Sequence, residues 1–420
     1  MEKLVIRGKK PLKGEVSIPG AKNSALPILA ASLLVEGKCT ISNVPYLKDV
    51  SMMIKILESL GANFKREADN VHLDCSDINS WNVPDDLVRT MRSSIFLMGP
   101  LLARFKKVKI VYPGGCAIGT RAIDLHIKGL ASLGAKIDEK FGYIEVSADK
   151  LKGSEIYLDY PSVGATENVM LAAVKAEGTT IIKNAAREPE IIDLANFLNN
   201  IGAKVKGAGT AEIKIYGTQK AFTKHCQHDI IPDRIVAGTV MVGAAMTGGD
   251  VKLNDVIPPH LESVMIKLKE MGATISKDVN SIRVKGNLPL KAVDLIRTAP
   301  YPGFPTDMQP QMMIALTMAK GSSLVSENVF DGRFKHVGEF RRMGAQISTD
   351  NRTAVVRGVD TLRGALVESS DLRAGAALVL AGLAAENITI ITNIHHIDRG
   401  YEQIEALFTS LGGDIKRVLC

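Results

Sequence analysis

One signature recurs along the chain and limits the folds open to it: an apolar, helix-like run, then Gly-Ala, then a strand-like run. It stands at Leu60-Gly61-Ala62, Leu133-Gly134-Ala135, Ile201-Gly202-Ala203, Met271-Gly272-Ala273 and Met343-Gly344-Ala345, with a worn copy at Leu411-Gly412-Gly413. The spacing of about 70 residues is longer than a solenoid repeat. A second signature, a turn and an alternating strand closed by an Asn, ends at Asn43, Asn184, Asn254, Asn328 and Asn393. One unit therefore reads helix, strand, helix, Gly-Ala turn, strand. The glycine belongs at a helix C-cap that needs φ > 0. Ala-rich runs over 21–34, 163–176, 236–245, 308–319 and 372–385 predict buried helices enclosed by strands. The fold class is α/β (α+β), with six units divided into two domains of three. The apolar period breaks near 225–232, which predicts domains of 22–229 and of 1–21 plus 230–420. The first strand then pairs in the second of these.

A length of 420 residues suits two cores, and 46% hydrophobic with 23% charged residues suits a soluble globular chain. Gly, Lys and Glu interrupt the apolar runs, so no segment predicts a membrane span. The N-terminus reads as a strand without the apolar core of a signal peptide. Cys39, Cys75, Cys116, Cys226 and Cys420 are odd in number and form no C-x-x-C pair, which predicts reduced thiols in a cytoplasmic protein and no zinc site. His395-His396 lacks a third ligand at useful spacing, and no G-x-G-x-x-G loop follows a strand. No cofactor or metal is expected. The net charge of +7 fits either a nucleic acid or a small polyanion held by gathered arginines. The basic residues are dispersed and only 5% of residues are aromatic, which favours the small anion.

Chemistry is expected in the loop over 113–124, between a strand-like run at 108–111 and a helix-like run at 125–133. Gly114, Gly115 and Gly119 allow sharp bends. Cys116 lies among them with Arg121 five residues on. A neighbouring guanidinium favours the reactive thiolate. The competing reading is a small buried hydrophobe in a turn.

With these residues in view, the chain resembles the UDP-N-acetylglucosamine enolpyruvyl transferases. The stretches that carry the resemblance are Pro19-Gly20-Ala21-Lys22-Asn23-Ser24, Thr90-Met91-Arg92-Ser93-Ser94-Ile95, the Cys116 loop, and Pro161-Ser162-Val163-Gly164-Ala165-Thr166-Glu167-Asn168. Pro305-Thr306-Asp307-Met308-Gln309, Asp371-Leu372-Arg373-Ala374-Gly375 and Asp398-Arg399-Gly400-Tyr401 continue it into the second half. The resemblance implies an inside-out α/β barrel pair of six repeats with the site shared by the two halves. It implies transfer of the enolpyruvyl group of phosphoenolpyruvate to the 3-hydroxyl of UDP-N-acetylglucosamine, the first committed step of peptidoglycan synthesis. Thr120-Arg121-Ala122 departs from the Ala-Arg-Pro of many relatives, and Tyr160 stands where some have a basic residue.

The resemblance further implies that Lys22, Arg121 and Arg399 hold the donor's phosphate, with Arg333, Arg373 and Arg399 near its carboxylate. Arginine suits both groups, because its planar fork pairs bidentately with either. Cys116 is the expected acid that protonates C3 of the donor, or a nucleophile at C2. Asp307 is the expected base at the sugar hydroxyl, with a helix N-cap as its alternative reading. Asn23 and Arg92 are assigned to pyrophosphate and sugar. Arg121, Ala122, Ile123, Asp124 and Leu125, with Ser162, Val163 and Gly164 at a helix start, are assigned to the uridine side. Val329 is either a wall for the sugar or an ordinary strand residue. Met308, Met312, Met313 and Met318, at near-helical spacing, are expected in the core.

Three other readings stand beside this one: a shikimate-pathway enolpyruvyl transferase, an RNA-binding or RNA-end-processing repeat protein, and an idle paralogue that senses nucleotide sugar. No nucleic-acid or membrane partner is expected.

Overall fold

Every Gly-Ala turn ends a helix in left-handed backbone geometry. Gly61, Gly134, Gly202, Gly272, Gly344 and Gly412 have φ of 110°, 90°, 103°, 99°, 93° and 87°. A Cβ at these angles is strained, so glycine lets each helix stop and the chain turn back. The strand exits are less uniform. Asn43, Asn184 and Asn393 take positive φ, whereas Asp255 takes it in place of Asn254. The computed structural model describes residues 2–112 and 123–419.

Each repeat carries more strand than its sequence pattern predicts. After the Gly-Ala turn the chain forms a hairpin: Asn63–Glu67 pairs antiparallel with Asn70–Asp74, which pairs with Lys38–Ser42. A further strand joins the far edge in parallel, here His225–Asp229. Some of these parallel strands are only three residues long: Glu155–Tyr157, Leu295–Arg297 and Leu366–Glu368. Three residues cannot display an alternating pattern. Among the described residues there are five four-stranded sheets and one three-stranded sheet, the last built from Lys107–Val111, Tyr143–Ser147 and Lys136–Lys140.

The described chain divides into two units, 20–112 with 123–231, and 2–19 with 232–419. Each has its own hydrophobic core. The crossings lie at Pro19/Gly20 and Ile231/Pro232 because backbone bonds close there. The Ala21 N–H donates to the Ile231 carbonyl at 2.7 Å in the first unit, and the Asp233 N–H to the Pro19 carbonyl at 2.8 Å in the second. The first strand, Glu2–Arg7, lies between Ile388–Thr392 and Asp414–Leu419, antiparallel to both.

Inner helices occupy each core. In the first unit these are Lys22–Ala31, Met98–Phe105 and Val163–Ala173; in the second, Arg234–Met246, Gln309–Thr317 and Leu372–Ala384. Several are shorter than their Ala-rich runs, and 21–34 splits into Lys22–Ala31 and a 3-10 turn over Ser32–Leu34. They are buried nearly all round, so their neighbours come close. A Cβ on Gly99 would stand 2.6 Å from the Asn168 carbonyl oxygen and 2.8 Å from Leu171 Cβ. Met308, Met312 and Met313 are fully buried, and Met318 packs partly buried on the same core. Three of these helices begin on a side-chain cap, supplied by Ser162, Asp233 and Asp371. Two of the capped starts carry candidate site residues.

Candidate active site

In the first unit, Lys22 opens the Lys22–Ala31 helix, where the N-terminal residue Ala21 offers no side-chain cap. Its ammonium is buried and pairs with Asp49 at 2.6 Å. Asp49 lies in the first turn of the Lys48–Ser59 helix. An ion pair with both members this dry keeps Lys22 charged at a position where an unpaired ammonium would be costly. Two residues on, Ser24 Oγ donates to Asp193, whose other carboxylate oxygen meets His228 Nε2 at 2.9 Å. The start of the helix is thus tied at two points, and Asn23 between them is exposed.

Arg92 begins the 3-10 turn Arg92–Leu97, half-buried. Its charge acts on His126, which is buried in the helix Asp124–Ser132. Burial first, then Arg92, pushes the His126 pKa down to about 4, so the ring is neutral at neutral pH. Asn168 Nδ2 donates to His126 Nδ1 at 2.8 Å, which leaves the ring proton on Nε2. That edge of the ring meets the start of the Val163–Ala173 helix. A Cβ on Gly164 would stand 3.0 Å from His126 Cε1 and 3.2 Å from Nε2. Ser162 caps this helix by accepting from the Ala165 N–H at 3.3 Å, and Val163 and Gly164 are half-buried beside it. Ile123 is buried, Leu125 half-buried and Asp124 exposed. Gly164, assigned to the uridine side, and Arg92, assigned to the pyrophosphate and sugar, thus both bear on His126. Cys116, Arg121 and Ala122 lie outside the described residues.

In the second unit, Asp307 is not a helix cap. Pro305 precedes a 3-10 turn over Thr306–Met308, and neither this turn nor the following helix Gln309–Thr317 has a side-chain cap. The Asp307 carboxylate is instead held by two guanidiniums. Arg333 Nη2 donates to Oδ1 at 3.0 Å and Arg373 Nη2 to Oδ2 at 2.8 Å. The two arginine side chains are 2% and 4% exposed, against 25% for Asp307, so the carboxylate is the group that reaches solvent. Arg373 sits in the first turn of Leu372–Ala384, whose cap Asp371 accepts from the N–H groups of Arg373 and Ala374. Burial works against the Arg373 charge, but Asp307, Tyr401 and Asp233 outweigh it and its pKa is raised. Behind it, Tyr401 OH bonds Thr239 Oγ1 at 2.8 Å, and Gln311 Nε2 donates to both oxygens. Two donors stay unused: Arg333 Nε and Arg373 Nη1 are buried with no partner among the described residues.

Val329 is not a strand residue. The strand Ser322–Ser326 has ended, and the Val329 N–H donates to Glu327 Oε1 at 2.9 Å. Arg399 ends the 3-10 turn Ile394–Arg399, half-buried. Among the described residues no group of three or more His, Cys, Asp or Glu side chains is placed to hold a metal ion. Sequence reasoning missed Asp49, His126, Tyr401 and Glu327. Asp49, His126 and Tyr401 have no telling spacing from their partners, and the bonds of Glu327 to Thr298 and Thr306 are likewise visible only across the fold.

The family model described as EPSP synthase (3-phosphoshikimate 1-carboxyvinyltransferase) matches residues 6–407. A UDP-N-acetylglucosamine 1-carboxyvinyltransferase 1 of Carboxydothermus hydrogenoformans is 54% identical over 418 residues, covering 100% of this chain and 99% of that one. A protein of the same name from Symbiobacterium thermophilum is 54% identical over 423 residues, covering 99% and 95%. Among solved structures, the enolpyruvyl transferase NikO from Streptomyces tendae is similar in fold, with a TM-score of 0.89 at 22% identity over 100% of this chain and 99% of that one. With full-length identity of this order on top of the family match, the chain belongs to the UDP-N-acetylglucosamine 1-carboxyvinyltransferases of the EPSP synthase family.

Proposed function

We propose that the chain transfers the enolpyruvyl group of phosphoenolpyruvate to the 3-hydroxyl of UDP-N-acetylglucosamine, with release of phosphate, in peptidoglycan synthesis. The sugar oxygen bonds to C2 of the donor while its proton passes to Asp307 and C3 takes a proton from Cys116. In the second step the Cys116 thiolate takes back a C3 proton, the bond from C2 to the phosphate oxygen breaks, Asp307 gives its proton to the departing phosphate, and the carbon–carbon double bond re-forms. Atoms and charge balance without a redox partner. The shikimate-type alternative shares the family model, but the 54% relatives carry the nucleotide-sugar name.

One observation carries the residue roles: a carboxylate open to solvent, clamped between two dry guanidiniums that each keep a spare donor. Buried donors without partners are costly, and the anionic donor substrate is the partner this reading supplies. Those two N–H groups are out of reach of solvent, so substrate binding has to turn the guanidiniums. Lys22, Arg121 and Arg399 take the phosphate, and Arg333, Arg373 and Arg399 the carboxylate. Asn23 and Arg92 take the pyrophosphate and sugar of the acceptor, and Val329 lines the sugar. The chain from Arg121 to Leu125 takes the uridine with Ser162, Val163 and Gly164.

Arg399→Lys tests the assignment, because it keeps the charge and loses the fork. The expected outcome is a rise in KM for phosphoenolpyruvate with a fall in kcat, and no matching change in KM for the sugar nucleotide. Parent-like kinetics in both substrates contradict the role.

A further inference from the structure

None of the roles above uses Glu327, yet its side chain joins two parts of the site. It follows the strand Ser322–Ser326 and is 1% exposed. Oε1 accepts from Thr298 Oγ1 at 2.9 Å, from the Val329 N–H at 2.9 Å and from the Phe330 N–H at 3.1 Å. Oε2 accepts from Thr306 Oγ1 at 3.0 Å. A buried carboxylate is costly unless it is hydrogen-bonded, and four donors reach this one.

Capping the loop after the strand needs Oε1 alone. Oε2 instead reaches the residue next to Asp307. Arg333 grips the same segment from the other side, because its Nη2 donates to the Thr306 carbonyl at 3.3 Å as well as to Asp307. We propose that Glu327 is a positioning residue whose two oxygens hold the Thr306–Asp307 turn and the Val329–Phe330 backbone in one frame, fixing the distance between the base and the wall that seats its sugar. This rests on Asp307 as base and Val329 as sugar wall. The one carboxylate sets both segments. Displacing a catalytic group by a fraction of an ångström lowers turnover without weakening binding in proportion.

The test uses the full-length protein with phosphoenolpyruvate saturating and UDP-N-acetylglucosamine varied. Thr306→Val cuts the Oε2 link and leaves the three bonds to Oε1. Losing one hydrogen bond to a charged group is expected to lower kcat about tenfold or more. KM for UDP-N-acetylglucosamine should stay within about twofold, since the Val329 side of the frame remains intact. Thr306→Ser restores the hydroxyl and should restore kcat. Glu327→Gln keeps Oε1 as acceptor and offers an N–H to Thr306 Oγ1, so its kcat should stay above that of Thr306→Val. Parent-like kcat in Thr306→Val, or a loss that Thr306→Ser does not rescue, overturns the inference. Asp307→Asn is measured alongside. If it turns over normally, the reading of Asp307 fails; if it is inactive while Thr306→Val is normal, only the Glu327 proposal fails.

Discussion

Asp307→Asn removes the charge that two buried guanidiniums share, and its cost follows from the geometry. Arg333 and Arg373 are 2% and 4% exposed and lie 3.0 and 2.8 Å from separate carboxylate oxygens. Removing one member of a buried ion pair costs about 3–5 kcal/mol. Two features pull the estimate to the low end: Asp307 is 25% exposed, and Arg333 keeps the Thr306 carbonyl. Asn Oδ1 also accepts one of the two bonds, while its Nδ2 faces the other guanidinium donor to donor. The expected loss is about 3 kcal/mol, or about 6–12 °C in Tm for a unit of this size. Calorimetry is the suitable assay, because the two units need not unfold together. Adding Arg373→Met removes the stranded charge, so the double variant should melt above Asp307→Asn alone. A melt within about 2 °C of the parent, or strictly additive losses in the double variant, refutes the clamp.

Two buried histidines and the Cys116 loop give two further outcomes. His126 and His336 both have pKa values pushed from 6.5 to about 4 by burial. The unfolded chain therefore takes up protons first as pH falls. Stability should drop from about pH 6.5 downward and lose the whole contribution near pH 4, about 3 kcal/mol at most for each ring. Neither ring nitrogen of His336 has a partner among the described residues, so His336→Phe should flatten part of that slope in pH-dependent denaturation, and an unchanged slope contradicts it. For the loop, UDP-N-acetylglucosamine is expected to speed alkylation of Cys116 by a small phosphonate epoxide, with the adduct located by mass spectrometry. An adduct on Cys39, Cys75, Cys226 or Cys420, or a rate indifferent to the sugar nucleotide, rules this out.

The Gly-Ala turns were legible because each needs a residue that tolerates positive φ, and the sequence shows such a residue six times. The hairpins after them and the three-residue parallel strands were not, because the strands are too short to carry a period. Asp307 illustrates the limit at the site. Pro-Thr-Asp before an apolar helix reads as a cap, but Thr306 opens a 3-10 turn that aims the carboxylate at Arg333 and Arg373. The partners of Lys22 and Arg373 were hidden for a related reason. Asp49 lies on the next helix and Tyr401 in the last repeat, and no local spacing links either to the cation it serves. Arginines in family motifs told which substrate charges to expect; only packing told that Arg333 and Arg373 spend one donor each on Asp307.

The enzyme couples its two substrates, and phosphate release measures that coupling directly. With phosphoenolpyruvate and UDP-N-acetylglucosamine together, phosphate should appear in equal amount to the enolpyruvyl product. With either substrate alone, or with 3-phosphoshikimate or RNA in place of the sugar nucleotide, none should appear. Phosphate released from phosphoenolpyruvate without the sugar nucleotide, or acceptance of 3-phosphoshikimate in its place, contradicts the account.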